Sequence, residues 1–188
     1  MRRTLRLIVL AVVAALGALT LTVPASAASP YCGITWGSQA KTTGSFTDRE
    51  MVLGVRAARH ACYDRLVLDL GGEDAAFRSY DIRYVTRVTA DGSGATIPLR
   101  GGAYLQITVG AASYDEYGNP TFGPQTREVV NVSGYRTFRQ VAYAGSFEGR
   151  TDFGLGVRAR LPFRVFVLPG TPNTDHIPRL VIDVAHRW

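Results

Sequence analysis

The chain has 188 residues, a net charge of +6 and only two cysteines. It has room for one core of ordinary size, and two distant cysteines exclude both a disulfide-dense miniprotein and a CxxC-type zinc module. Half of the charge surplus is Arg2, Arg3 and Arg6, so the body of the chain is too weakly basic to argue for nucleic acid. The remaining charge is compatible with attraction to an anionic surface.

Those three arginines open a segment with the three parts of a secretory leader. An apolar run from Leu7 to Leu19 follows, and then Ala25-Ser26-Ala27 supplies a small-residue cleavage site. The run is shorter than the roughly 20 residues a membrane helix needs. The reading is a signal peptide over 1–27, a secreted product of about 160 residues, and no membrane span after cleavage.

Residues 28–46 form a loose segment that holds Cys32, and Cys62 lies in the body. In a secreted protein this pair reads as a disulfide, Cys32–Cys62, tethering the segment to the domain at 47–188. On the chain-entropy argument such a tether contributes about 3–4 kcal/mol.

The domain opens with "DREMVLGVRAARH". Thr47 and Glu50 have the spacing of a helical capping box, but Met51, Leu53, Val55 and Ala57 alternate with their neighbours and Gly54 interrupts the run, which favours a strand. Further strand candidates are "RLVLDL" (65–70), "DIRYVTRVTA" (81–90), "AYLQITVG" (103–110), "REVVNVSG" (127–134), "FRQVAYAG" (138–145), "FRVFVL" (163–168) and "RLVIDV" (179–184). Turn signals such as Asp91-Gly92-Ser93-Gly94 and Gly118-Asn119-Pro120 separate them. The pattern predicts an all-β domain, a sandwich or a barrel. Two longer connections, 111–125 and the glycine-rich 145–162, are places where function could be carried.

One phrase occurs twice: "DRLVLDL" at 64–70 and "PRLVIDV" at 178–184. Alternation puts Leu66, Leu68 and Leu70, and likewise Leu180, Ile182 and Val184, on a core face. The opposite faces carry Arg65, Val67, Asp69 and Arg179, Val181, Asp183. Side by side, the two strands would form cross-strand charge pairs on one outer surface. That surface is either a solvated ion-pair stripe or a polar strip with an aliphatic floor, suited to a hydroxyl-rich or carboxylate-bearing polymer. Arg164 in "PFRVFVL" continues the alternation, on a strand that reads as covered on both faces.

The catalytic patterns are weak. No GxSxG elbow accompanies the serines, and His60, His176 and His186 read as surface or capping residues. Asp115, Glu116 and Asn119 make a marginal calcium corner, and Asp115, Glu116, Glu148 and Asp152 have no spacing that selects a glycosidase pair. The aromatic candidates for contacts to sugar are Trp36, Tyr114, Tyr117, Phe122, Phe147 and Phe153, with Trp36 and Phe46 alternatively covering one end of the fold.

The stretches "CYDRLVLDL", "YDIRYV", "FEGRTDFGLGVRARLPFRVFVL" and "PRLVIDVAH" resemble the AMIN-like domain of exported actinobacterial proteins, over roughly Thr47 to His186. That family is related to the AMIN domain of cell-wall amidases and secretins. The resemblance implies a two-sheet β-sandwich, an envelope location, peptidoglycan or another wall polymer as partner, no cofactor and no catalytic machinery. Unlike the amidases, no second domain follows "VIDVAHRW", so the expectation is binding without an attached enzyme. The residues expected to carry it are Arg65/Asp69 and Arg179/Asp183 on the outer face, with Tyr114, Tyr117 and Arg150 at the loop edge. The arginines would donate forked hydrogen bonds to carboxylates. The competing readings are a protein-interaction or inhibitor module, marked by an apolar patch around 111–125, and an unrecognised hydrolase.

Overall fold

The computed structural model describes residues 30–44, 50–71, 77–171 and 174–188. The leader, Phe46 and Thr47 lie outside the described residues. Among the described residues twelve strands run β1 (Lys41–Thr43), β2 (Glu50–Arg59), β3 (Tyr63–Gly71), β4 (Tyr80–Val85), β5 (Val88–Thr89), β6 (Thr96–Ile97), β7 (Ala103–Val109), β8 (Ala111–Ala112), β9 (Phe138–Phe147), β10 (Arg150–Val157), β11 (Phe163–Leu168) and β12 (Arg179–Ala185). They build two five-stranded sheets, β1-β4-β7-β10-β9 (sheet I) and β11-β12-β3-β2-β8 (sheet II), and a small β5-β6 ribbon. All ladders are antiparallel except β2 with β8.

The inner faces follow from alternation. Leu66, Leu68, Leu70, Leu180, Ile182 and Val184 of sheet II are all buried, as are Ile82, Leu105, Ile107, Val109, Phe153, Leu155 and Val157 of sheet I, in one hydrophobic cluster. Each such side chain contributes about 1.5–3 kcal/mol on leaving water. Residues 50–59 form a strand, as the alternation requires, with one break. The β2–β3 register shifts between Val52 and Gly54. This bulge turns Leu53 outward, over Gly71, and lets Val52, Val55 and Ala57 all reach the core.

Three segments differ from the sequence expectation. Residues 81–90 are divided between β4 in sheet I and β5 in the ribbon. Residues 127–134 are not a strand; Val129 and Val132 are buried, so the segment caps the core without joining a ladder. Within the presumed connection 145–162 runs β10, hydrogen-bonded between β7 and β9. Its glycines, which argue against a strand by propensity, are required by what lies above them. The 86–102 excursion crosses β10, and a Cβ at Gly154 would meet Leu99 at 2.6 Å while one at Gly156 would collide with the Arg100 carbonyl.

The Cys32–Cys62 disulfide is formed. It brings residues 31–37 beside sheet II, where the Phe163 amide donates to the Gly37 carbonyl at 2.8 Å. At the same end of the sandwich Asp64, 1% exposed, accepts from the amides of Thr137 and Phe138 at 2.5 and 3.1 Å and meets His186 Nε2 at 3.1 Å. His186 is therefore a buried histidine joining the chain end to β3, not a surface one.

Candidate functional site

The repeated phrase is explained by its pairing. β3 and β12 run antiparallel in the register Arg65↔Asp183, Val67↔Val181, Asp69↔Arg179. An Arg-x-Val-x-Asp strand laid antiparallel on itself is self-complementary: arginine faces aspartate at both ends and valine faces valine between them. The outer face of sheet II is this arrangement, extended by Arg56 of β2 and Arg164 of β11.

The two ends differ in their bonding. At one, Asp183 has a fully buried side chain and holds two guanidiniums. Arg65 donates from Nε and Nη2 at 2.7 and 2.9 Å, and Arg164 donates from Nε at 2.8 Å. The bond to Asp183 raises the Arg65 guanidinium further above its already high value, so it is permanently charged. At the other, Asp69 is engaged by Arg56 through two bonds of 2.7 and 2.8 Å. Arg179, its register partner, turns away and gives Nη2 to His176 Nε2 at 2.9 Å. Its Nε is shielded from water and has no acceptor.

Aromatic rings flank the Asp183 end. The Arg65 guanidinium lies 5.2 Å from the Tyr63 ring and 5.5 Å from Phe166. Arg164 lies 5.6 Å from Trp36, 5.4 Å from Tyr63 and 5.1 Å from Phe166. His60 stacks on Tyr63 at 4.6 Å. Such contacts favour the cationic form of arginine and fix its plane. Between the two ends lies a concavity of about 280 Å³, walled by Arg56, His60, Arg65 and Arg179 over a floor of Val67 and Val181. Four guanidiniums against two carboxylates leave this face positively charged.

Arg65, Asp69, Arg179 and Asp183 are thus brought together. Arg150 is not among them: it lines a separate concavity of about 320 Å³ on the outer face of sheet I, with Arg83, Gln106 and Thr108. Tyr114 lies by the β9–β10 turn, its hydroxyl accepting from the Gly149 amide at 3.4 Å. Tyr117 is 81% exposed. Phe122 and Phe153 are core residues rather than loop aromatics, while Phe147 is exposed. Around 111–125 Tyr117 is the exposed large apolar side chain among the described residues.

The loop carboxylates are engaged locally. Asp115 accepts from the amides of Tyr117 and Asn119 and from the Asn119 side chain, and the latter chiefly holds its carboxyl below the usual range. Asp152 stands on β10, bonded by Thr108 and by Gln106 Nε2 at 2.9 Å, and burial pushes its carboxyl up to about 6. Among the described residues no three His, Cys, Asp or Glu gather as metal ligands.

Sequence reasoning did not assign Arg56, His60, Tyr63 or Phe166 to the site. Tyr63 and Phe166 were within reach: they share parity with Arg65 and Arg164, so carrying the alternation one step further finds them. Arg56 already lies opposite Val55 and Ala57 in the alternation; what the sequence does not give is that β2 pairs with β3, which sets Arg56 beside Asp69.

The AMIN-like domain family matches residues 50–186. The chain belongs to this family. No curated protein and no solved structure matches it. AMIN-like domains are generally non-catalytic binding modules, and membership suggests a cell-wall-related one. In this AMIN-like domain the repeated phrase forms two adjacent interior strands of sheet II, β12 and β3, and the side chains it sends outward carry the charged face.

Proposed function

We propose that this AMIN-like domain is an exported, non-catalytic module that docks on a wall polymer, peptidoglycan, through the outer face of sheet II. The observation that carries the reading is the guanidinium-walled concavity over Val67 and Val181, with aromatic rings at one end. Fixed arginines in fork geometry recognise carboxylate-bearing chains, and the positive surplus favours approach to an anionic wall. The disulfide fits an oxidising compartment, as does the leader.

The test is co-sedimentation with purified insoluble peptidoglycan. Wild type is expected in the pellet at low salt, and Arg56→Ala plus Arg179→Ala in the supernatant. Wild type remaining in the supernatant at low salt would sink the reading. These two arginines are the better choice because neither holds the buried Asp183, so loss of binding is not loss of fold.

A further inference from the structure

Resting on that docking reading, we propose that the concavity seats a free chain-end carboxylate carried by a small aliphatic residue, as at the end of a wall peptide.

The donors are in place and in surplus. A guanidinium has five N–H groups in a planar fork. Asp183 takes two from Arg65, and Asp69 takes two from Arg56. The ladder sets Arg179 opposite Asp69, yet both oxygens of Asp69 are already held by Arg56. Arg179 is left with a histidine nitrogen for one N–H and nothing for its Nε. An N–H kept from water without an acceptor is costly, so a carboxylate that draws the Arg179 guanidinium out toward the concavity removes a cost that the empty face carries. Arg179 is the group in this face still lacking the carboxylate that its neighbours have.

Size and polarity narrow the occupant. At about 280 Å³ the concavity is too small for an extended glycan and suits one or two residues. Its floor is Val67 and Val181, 6% and 1% exposed, with Leu168 beside them. A methyl-sized side chain lies against Leu168 at the edge of that floor while its carboxylate reaches the guanidiniums, in a setting where low polarity strengthens the charge interaction. A phosphodiester supplies the anion but no apolar group to lie against Leu168.

The experiment is a calorimetric titration of the protein with acetyl-D-alanyl-D-alanine, its C-terminal amide, acetyl-L-alanyl-L-alanine and glycerol phosphate. The free D-acid is expected to bind at least tenfold more tightly than the amide and than glycerol phosphate. Arg179→Ala and Arg56→Ala are each expected to weaken it at least fivefold with an unchanged circular dichroism spectrum. Arg56 is more than half exposed, so one variant stays folded even if the other does not. Equal binding of L- and D-acids supports the seat and assigns it to chain ends in general. Equal binding of acid and amide, preference for glycerol phosphate, or insensitivity to both substitutions overturns it. Co-sedimentation with peptidoglycan without dipeptide binding removes the seat and leaves the docking reading. Dipeptide binding without co-sedimentation removes the docking reading and leaves the seat.

Discussion

Arg65 and Asp183 stand opposite each other in the β3–β12 ladder and are joined by two hydrogen bonds of 2.7 and 2.9 Å, with the Asp183 side chain fully buried. Removing Arg65 leaves a buried carboxylate with Arg164 as its remaining partner. Arg65→Met is therefore expected to cost about 1–3 kcal/mol, below the 3–5 for a carboxylate stranded outright. Arg56→Ala breaks an exposed pair with Asp69 and should cost less than about 1 kcal/mol. Urea denaturation of both variants checks this; equal losses would show that burial of Asp183 is not what matters. Arg65→Met with Asp183→Leu should recover part of the loss, since the charge and its partner leave together.

Asp152 gives the fold a pH dependence. Its carboxyl is pushed up to about 6, first by burial and then by the nearby Asp91 carboxylate, against 3.8 for the free group. The folded state thus holds the proton more tightly than the unfolded chain. The contribution of Asp152 is fully present below about pH 4 and is lost as pH rises through about 6. Asp152→Asn, which stays neutral, should be the more stable protein at pH 7.5, by about 1–3 kcal/mol, and the gap should close by pH 4. Urea midpoints at the two pH values decide it; parallel profiles for the two proteins would refute it.

Gly156 is placed where it is for space. A Cβ there collides with the backbone carbonyl of Arg100, which has no side-chain freedom with which to yield. Gly156→Ala should therefore cost about 2–4 kcal/mol, above the usual cost of overpacking by one methyl. Gly118, in an open turn at φ 82°, has nothing near its would-be Cβ, so Gly118→Ala should cost only its strained backbone, about 1 kcal/mol. Thermal melts separate the two. Similar shifts in both would mean that the 86–102 excursion gives way without loss.

The legible parts of the fold were those where one residue type serves one face. Leu66, Leu68 and Leu70 could be assigned to the core because strand period is two and nothing interrupts it. β10 was not legible, because its outward residues are glycines that make sense only once the 86–102 excursion is seen to cross them. Residues 127–134 mislead in the opposite way: valines read as a strand whether they join a ladder or plug the end of a core. For the site, the Arg/Asp stripe followed from repetition. The separation of Arg150 from it depends on which sheet β10 joins, and a strand unrecognised in the sequence cannot be assigned to a sheet.

The disulfide connects stability to the charged face. Cys32–Cys62 closes a span of 30 residues, so Cys32→Ser with Cys62→Ser should cost about 3–4 kcal/mol, or on the order of 10 °C in Tm for a domain of this size. The same tether carries Trp36, whose ring lies 5.9 Å from Tyr63 and under the Arg164 guanidinium, and whose N–H donates to the Tyr31 carbonyl at 2.8 Å. Without the covalent link, Trp36 is held to the face by these contacts, by the Gly37–Phe163 bridge, by Arg160 on the Ser38 carbonyl and by β1, which anchors the segment from Lys41 onward. The chain has two tryptophans, and the other, Trp188, is already 70% exposed. In a Trp188→Phe background, the serine pair should therefore shift the emission of Trp36 to longer wavelength at temperatures where the far-ultraviolet circular dichroism is still native. A spectrum unchanged up to the melt would show that Arg164 and Tyr63 hold the ring unaided, and that the disulfide acts on the unfolded chain alone.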